Sequence, residues 1–225
     1  MKPISVVLES ASKRTLALVP AWPGWCRSGR DGDAALQSLL DSAHRYAKVM
    51  QVAGIKFQLP ASLSDLNVTE RVQGNATTDF GAPAIILDTD RDAVTASEAK
   101  LWRGILQASW QVFDDAAQRA GGRELRKGPR GGGRELDAIV HHVLEADLEY
   151  LKRLAWKQKP QAGKTTAETL RAVREDMLRA LEAAIRDGVP AQGPRGGAMW
   201  PPRYFVRRVA WHVLDHVWEI EDRIV

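Results

Sequence analysis

Histidines are the side chains of this 225-residue chain best suited to chemistry. Four of the five lie in two short stretches, His141 with His142 and His212 with His216. The i, i+4 spacing of His212 and His216 predicts two imidazoles on one helical face, about 6 Å apart at Cβ, where both can bind one metal ion. This spacing is weak evidence on its own, because exposed helices also carry it. A third histidine on a neighbouring helix is needed to favour a metal site.

Four amphipathic segments must position these histidines. Thr95 and Glu98 have the spacing of a capping box, which satisfies the free N–H groups at a helix start. Thr165 and Glu168 have the same spacing. The predicted helices cover about 97–119, 134–156, 166–186 and 203–224. Glycine- and proline-containing connections separate them, so we expect an antiparallel four-helix bundle over 95–225.

In an up-down-up-down bundle the second and fourth helices run parallel. His142 lies 8 residues after Arg134, and His212 lies 9 residues after Arg203. At 1.5 Å per residue, both histidines are expected roughly 12–14 Å from the same end of the bundle. Three imidazoles that leave coordination positions for water or substrate are typical of a catalytic metal site. The helical pattern leaves His141 open as an alternative to His142, because both flank the apolar stripe.

Two carboxylates lie near these positions. Asp147 falls within the apolar stripe of the second helix, where an unpaired charge is costly. Either Asp147 orients an imidazole or completes the metal shell, or it pairs with an arginine of a neighbouring helix. Glu219 stands one turn beyond His216 and is a second candidate for an outer-shell partner. No residue is assigned a catalytic role.

The positive charge of the chain is concentrated around a repeated loop motif. Gly-Pro-Arg-Gly-Gly occurs at 128–132 and again at 193–197, each time before a histidine-bearing helix. Segments 119–134 and 193–208 together hold +9, and the rest of the chain holds −5, which gives the net +4. Both loops are expected at the bundle end nearest the proposed metal.

Arginine offers a planar fork that matches carboxylate or phosphate. We therefore hypothesise that these loops form the mouth of a pocket for an anionic small molecule, lined by Arg130, Arg195, Lys127 and Arg207. The alternative is that the basic groups only oppose the negative C-termini of helices. An extended nucleic-acid surface is disfavoured, although basic loops beside Trp200 leave it open.

Composition excludes several classes of protein. The chain is 44% hydrophobic and 27% charged, as in ordinary globular domains. The lone Cys26 excludes an internal disulfide and a thiolate zinc cluster. No stretch approaches the roughly 18 apolar residues of a membrane span. We therefore expect a cytoplasmic protein without membrane contact, and the sequence is compatible with a homodimer.

The N-terminal third has a different pattern. The predicted elements are strands at 4–8, 15–19, 56–59 and 68–72 and one helix from about 34 to 50, capped by Asp31 or Asp33. Their order, β-β-α-β-β, indicates one small sheet with a helix on one face. The whole chain is thus expected to be an α+β protein. The predicted divisions are a sheet domain at 1–75, a linker at 76–94 and the bundle at 95–225.

Residues 137–147 and 211–216 resemble the DinB/YfiT-like superfamily of four-helix-bundle metalloproteins. Members of that family bind a divalent metal through one histidine on the second helix and an HxxxH pair on the last. The resemblance covers about 95–225 and implies the ligands His142, His212 and His216. It favours His142 over His141 because the family places apolar residues at −3, −2 and +1, here Ile139, Val140 and Val143.

The resemblance also implies a kind of chemistry. Characterised members transfer or isomerise with low-molecular-weight thiols such as bacillithiol or mycothiol. The chain is therefore expected to be a metal-dependent transferase, isomerase or hydrolase-like enzyme that acts on an anionic small molecule. Neutral imidazoles suit a borderline-soft divalent metal, zinc first and nickel or iron as alternatives. The competing class is a non-enzymatic regulatory or binding protein with the bundle as scaffold.

The first 75 residues resemble the HicB-like fold. The resemblance rests on the run Val6-Val7-Leu8-Glu9 and on the stretch 21–36, with its Pro-Gly turn and acidic helix start. HicB proteins are antitoxins that usually add a DNA-binding module, and none is evident in this sequence. The resemblance implies a fold, and a protein or RNA partner belongs to the competing class.

Overall fold

The computed structural model describes residues 3–127, 133–157, 163–193 and 197–225. The described part is a mixed α+β structure in which a four-stranded sheet precedes a helical bundle. Its strands are β1 (Ile4–Ser10), β2 (Thr15–Leu18), β3 (Cys26–Gly29) and β4 (Leu66–Gln73). The strand order is β3-β2-β1-β4, with β1 and β4 parallel and the other pairs antiparallel.

The N-terminal elements differ from the prediction in three places. The order is β-β-β-α-α-β, because residues 26–29 pair with β2 although Cys-Arg-Ser-Gly lacks an apolar alternation. Residues 56–59 form no strand; Phe57 instead packs its ring 5.1 Å from Trp22 and 5.3 Å from Trp25. The single predicted helix is two, α1 (Gly32–Asp41) and α2 (Ala43–Val52). Asp31 caps the first of them, as one of the two predicted alternatives.

The sheet is covered on both faces. Alternate residues of β1 point to opposite sides, so Val6 and Leu8 join the core under α1 and α2 while Val7 packs in a second cluster with Trp211. Burial on both faces explains why β1 and β2 are apolar runs rather than alternating sequences. The sheet is therefore sandwiched between its own helices and the bundle.

The connection from the sheet to the bundle is packed against the sheet. It contains the short helix α3 (Ala76–Asp79). The buried carboxylate of Glu9 accepts hydrogen bonds from the Thr78 hydroxyl and from the backbone N–H of Ala84 at 2.9 Å and Ile85 at 3.2 Å. Because Glu9 is fully buried and fully bonded, it holds this connection in place.

The bundle has the four predicted helices, with ends shifted by a few residues. They are α4 (Ala96–Ala120), α5 (Leu136–Lys152), α6 (Thr166–Asp187) and α7 (Pro202–Arg223). The capping boxes predicted at the starts of α4 and α6 are both present. None of the helices in the described ranges is long and apolar enough to cross a membrane.

The expected parallel arrangement of α5 and α7 is wrong. Trp200, just before α7, donates its backbone N–H to the Arg153 carbonyl, just after α5, at 2.9 Å. Tyr150 contacts His212, and the earlier His142 contacts the later His216. Contacts therefore progress in opposite directions along the two helices, so α5 and α7 are antiparallel.

The other helix directions follow from ion pairs. Arg203 pairs with Glu98 near the starts of α7 and α4, and Arg119 pairs with Glu221 near their ends, so these helices run parallel. Arg174 of α6 pairs with Asp114 of α4, whereas the later Glu182 pairs with the earlier Arg103, so α6 runs opposite to α4. The bundle is thus up-down-down-up. A connection of 13 residues between α5 and α6 can return the chain along the bundle, since it can extend to about 40 Å.

Candidate metal site

Three histidines converge between α5 and α7. The Nε2 atoms of His142 and His212 are 3.2 Å apart, and the ligand atoms of His142, His212 and His216 all lie within 4.8 Å of one another. Two nitrogens bound tetrahedrally at 2.0–2.1 Å from a zinc ion would be about 3.3 Å apart. The donor set and this spacing fit a divalent metal.

Helix geometry explains how these side chains meet. His212 and His216 are one turn apart on α7, and their ring centres are 4.7 Å apart. The antiparallel α5 places the ring centre of His142 5.1 Å from His212 and 5.0 Å from His216. The pair on one helix is thus a local feature, and the third ligand is provided by packing.

Burial favours the neutral, metal-binding form of two imidazoles. His212 is only 7% exposed, and this burial, together with the neighbouring imidazoles and Arg208, holds its pKa well below the ordinary value. Burial also lowers the pKa of His142, with Arg134 as the next cause. Neutral histidines keep the nitrogen lone pair that a metal requires.

Glu219 contacts the cluster from one turn beyond His216. Its Oε2 lies 2.8 Å from His216 Nδ1, and its Oε1 accepts from Arg223 at 2.7 Å. The hydrogen bond to His216, with help from Arg223, lowers the pKa of the Glu219 carboxyl, so it is ionised. Donation from Nδ1–H to Glu219 leaves the Nε2 lone pair of His216 for the metal.

His141 lies apart from the cluster. Its side chain is 62% exposed, and its Nε2 is 3.4 Å from Glu145 on the outer face of α5. The structure thus brings His142, and not His141, together with His212 and His216.

Asp147 lies in the bundle core rather than among the imidazoles. It follows His142 by five residues, which is about 140° around the helix. Both carboxylate oxygens are buried without a hydrogen-bond partner in the described part of the chain. Burial raises the pKa of Asp147 to about 7, although the nearby positive charge of Arg174 lowers it. Arg174 itself hydrogen-bonds Asp114, so the predicted arginine is near but is not hydrogen-bonded to Asp147.

Two of the four predicted anion-binding residues, Lys127 and Arg207, lie in the described part of the chain. Arg130 and Arg195 lie outside the described residues. Lys127 is exposed. Arg207 is buried in an ion pair with Asp90, its Nε 3.2 Å from Oδ1.

The flanks of the two glycine-arginine loops lie at opposite ends of the bundle. Arg126, just before the first loop, donates its N–H to the carbonyl of Arg223 at the end of α7. Ala198 lies just after the second loop and just before α7. Its carbonyl accepts a hydrogen bond from the side chain of Arg153. The length of α7, about 30 Å, separates these points. The expectation that both loops lie at one end of the bundle assumed that α5 and α7 are parallel. Because these helices are antiparallel, that expectation is wrong for the flanks that the structure describes.

The sequence interpretation missed a group of aromatic and basic side chains beside His212, formed by Tyr150, Trp200 and Arg208. The Tyr150 ring centre is 5.6 Å from that of His212 and 5.1 Å from that of Trp200. The guanidinium of Arg208 lies over Tyr150, with 5.8 Å between its carbon and the ring centre. Arg208 stands four residues before His212, so the spacing that identified His216 could also have identified it.

Comparison with known proteins identifies a family match. The family model described as the DinB superfamily matches residues 105–220, which include all three clustered histidines. No curated protein and no solved structure gives a significant match. The matched residues are just over half of the chain and extend from within α4 almost to the end of α7. The chain belongs to the DinB superfamily.

Proposed function

We propose that this protein binds one divalent metal ion through His142, His212 and His216 and acts as a metal-dependent enzyme on an anionic small molecule. The observation that carries the proposal is the convergence of three imidazole nitrogens within 4.8 Å, two of them largely buried. Zinc suits this donor set best, and nickel and iron are alternatives.

A metal ion held there would act as a Lewis acid and lower the pKa of a bound thiol or water. The protein's own groups have separate roles. Glu219 accepts a hydrogen bond from His216 Nδ1–H and thereby sets the tautomer of that imidazole. Tyr150 packs against His212 and shields one side of the cluster from water. A low-molecular-weight thiol is the proposed co-substrate, on the resemblance to thiol-dependent family members.

The charges around the histidines support an anionic substrate. Burial and the two neighbouring imidazoles are the larger causes of the lowered pKa of His212, and the positive charges of Arg208 and Arg134 add to them. The carboxylates of Glu145 and Glu219 act in the opposite direction on His142, but Glu219 already pairs with Arg223. The surroundings of the three imidazoles therefore favour a negatively charged ligand.

Metal content tests the proposal directly. Protein purified without chelators should contain about one equivalent of metal by elemental analysis, and His212→Ala should contain almost none. His141→Ala is the matched control and should keep the wild-type content, because its imidazole is exposed and outside the cluster. Wild-type protein that takes up no added zinc, nickel or iron would contradict the proposal. That result would favour the regulatory or binding class, with the HicB-like resemblance pointing to the sheet as the partner surface.

A further inference from the structure

Arg208 is the arginine of α7 that pairs with no carboxylate among the described residues. The other three arginines of this helix are all paired, Arg203 with Glu98, Arg207 with Asp90 and Arg223 with Glu219. No salt bridge joins Arg208 to a carboxylate in the described part of the chain. A partly buried guanidinium without a counter-charge strongly favours an anion.

The position of Arg208 connects it to the metal site. It lies one turn before His212 on the same face of α7. Tyr150 lies against both residues, with its ring centre 5.8 Å from the Arg208 guanidinium carbon and 5.6 Å from the His212 ring centre. Arg208, Tyr150 and His212 therefore line one stretch between α5 and α7.

The guanidinium is held in place but not saturated. Nη1 donates to the carbonyl of Pro83 at 2.6 Å, and the ring of Trp211 packs 5.0 Å from the guanidinium carbon. Nε is buried without a hydrogen-bond partner in the described part of the chain, and the guanidinium also interacts with the side chain of Tyr150. A side chain fixed by Pro83 and Trp211 retains donors for a ligand, and little conformational entropy is lost on binding.

We infer that Arg208 binds the carboxylate of the small molecule on which the three-histidine site acts, and that Tyr150 forms the wall along which that molecule lies. The inference rests on the proposed metal site. The backbone positions of Arg208 and His212 are about 6 Å apart along the axis of α7. The ligand is therefore a short molecule that carries a metal-binding group and a carboxylate a few bonds apart.

Two thiols that differ at one end test this role. The full chain is loaded with cobalt(II), and 3-mercaptopropionate and 2-mercaptoethanol are titrated while thiolate-to-cobalt absorption is followed. The wild type should bind the carboxylate-bearing thiol about tenfold or more tightly than the neutral one, as expected for a charge-assisted hydrogen bond. Arg208→Gln should abolish this preference and leave the cobalt content and the 2-mercaptoethanol affinity unchanged.

Two further variants separate a direct contact from a general charge effect. Arg134→Gln removes one exposed positive charge that also acts on His212, and it should keep most of the preference. Arg208→Lys keeps the charge without the planar fork and should give an intermediate ratio; it also carries the test if the glutamine variant does not fold.

The outcomes separate this inference from the proposed function. Equal preference in wild type, Arg208→Gln and Arg208→Lys, each with full cobalt, would overturn the role of Arg208 and leave the metal site intact. Absence of any preference in the cobalt-loaded wild type would also overturn it. Failure of the wild type to bind cobalt would overturn the metal site itself, and this inference with it.

Discussion

The Nε2 atoms of His142 and His212 lie 3.2 Å apart across the interface between α5 and α7. This contact links residues 70 positions apart and joins the DinB-family helices at mid-length. His141, the residue before His142, is exposed to solvent instead. The relationship makes the two adjacent histidines of α5 experimentally distinguishable.

His142→Ala should weaken zinc affinity by more than about 100-fold, beyond the range of outer-shell changes, because one of three nitrogen ligands is lost. His141→Ala should leave the affinity within about twofold of wild type, since the exposed imidazole does not reach the cluster. Competition with a chromophoric chelator measures both. Similar losses in the two variants would show that the α5 ligand is not unique.

Glu219→Gln should lower zinc affinity by about 10–100-fold with little change in melting temperature, because the variant no longer provides a charged acceptor for His216 Nδ1–H. The control is Glu221→Gln, which removes an exposed carboxylate that pairs with Arg45 and Arg119 away from the histidines. The same chelator competition applies. An unchanged affinity in Glu219→Gln would remove its assigned role in orienting the imidazole.

Asp147 should make the stability of the protein depend on pH. Its pKa rises from 3.8 to about 7 on folding, so between these values the folded state holds a proton that the unfolded state has released. The contribution of Asp147 to the free energy of unfolding is therefore expected to fall as pH rises from about 4 to about 7 and to level off above that, by at most roughly 4 kcal/mol. The lowered pKa values of His212 and His142 act in the opposite direction in both proteins, so the wild type minus Asp147→Asn difference should show this slope.

Urea unfolding of metal-free protein across this pH range measures the Asp147 effect. Arg174, whose positive charge lowers the pKa of Asp147, remains in the variant together with its partner Asp114. A wild type minus Asp147→Asn difference without this slope would mean that Asp147 does not cause it.

Arg207 should matter for folding rather than for the metal site. Arg207→Ala leaves the buried Asp90 carboxylate without its ion-pair partner and should cost about 3–5 kcal/mol in the free energy of unfolding. The double change Arg207→Met with Asp90→Leu should recover most of this loss, because it leaves no unpaired charge. Zinc content should stay at the wild-type level in both. A selective loss of metal or anion binding would instead support the predicted pocket role.

Gly24 tests the packing of the sheet on the bundle. It has φ of +92°, and a Cβ there would lie 2.9 Å from Leu214 Cδ1 and 3.0 Å from Ala210 Cβ. Gly24→Ala should cost roughly 2–4 kcal/mol by denaturant unfolding, from the strained backbone and the overpacked contact. Gly54→Ala has the same sign of φ but open space, so it should cost only about 1 kcal/mol. Equal losses would show that the contact with α7 adds nothing.

The sequence alone was sufficient for the features that depend on local geometry. Apolar periodicity and two capping boxes predicted the four bundle helices, and the spacing of His212 and His216 predicted a pair on one face. These features follow from 3.6 residues per turn and from backbone groups near each helix end. The unexpected strand at Cys26–Gly29 shows the limit, since its pairing with β2 is a contact between different segments.

Only the tertiary structure decided which side chains meet across helices. An apolar stripe buries the same residues whether α5 runs parallel or antiparallel to α7, so the pattern cannot reveal direction. Direction determines that Tyr150 and Arg208 lie beside His212 and that the flanks of the two arginine loops lie at opposite ends. The helical pattern alone left His141 and His142 open; the family resemblance favoured His142, and the rotation of α5 in the structure brings His142 to the cluster. These choices depend on packing between residues far apart in the chain, which no local spacing encodes.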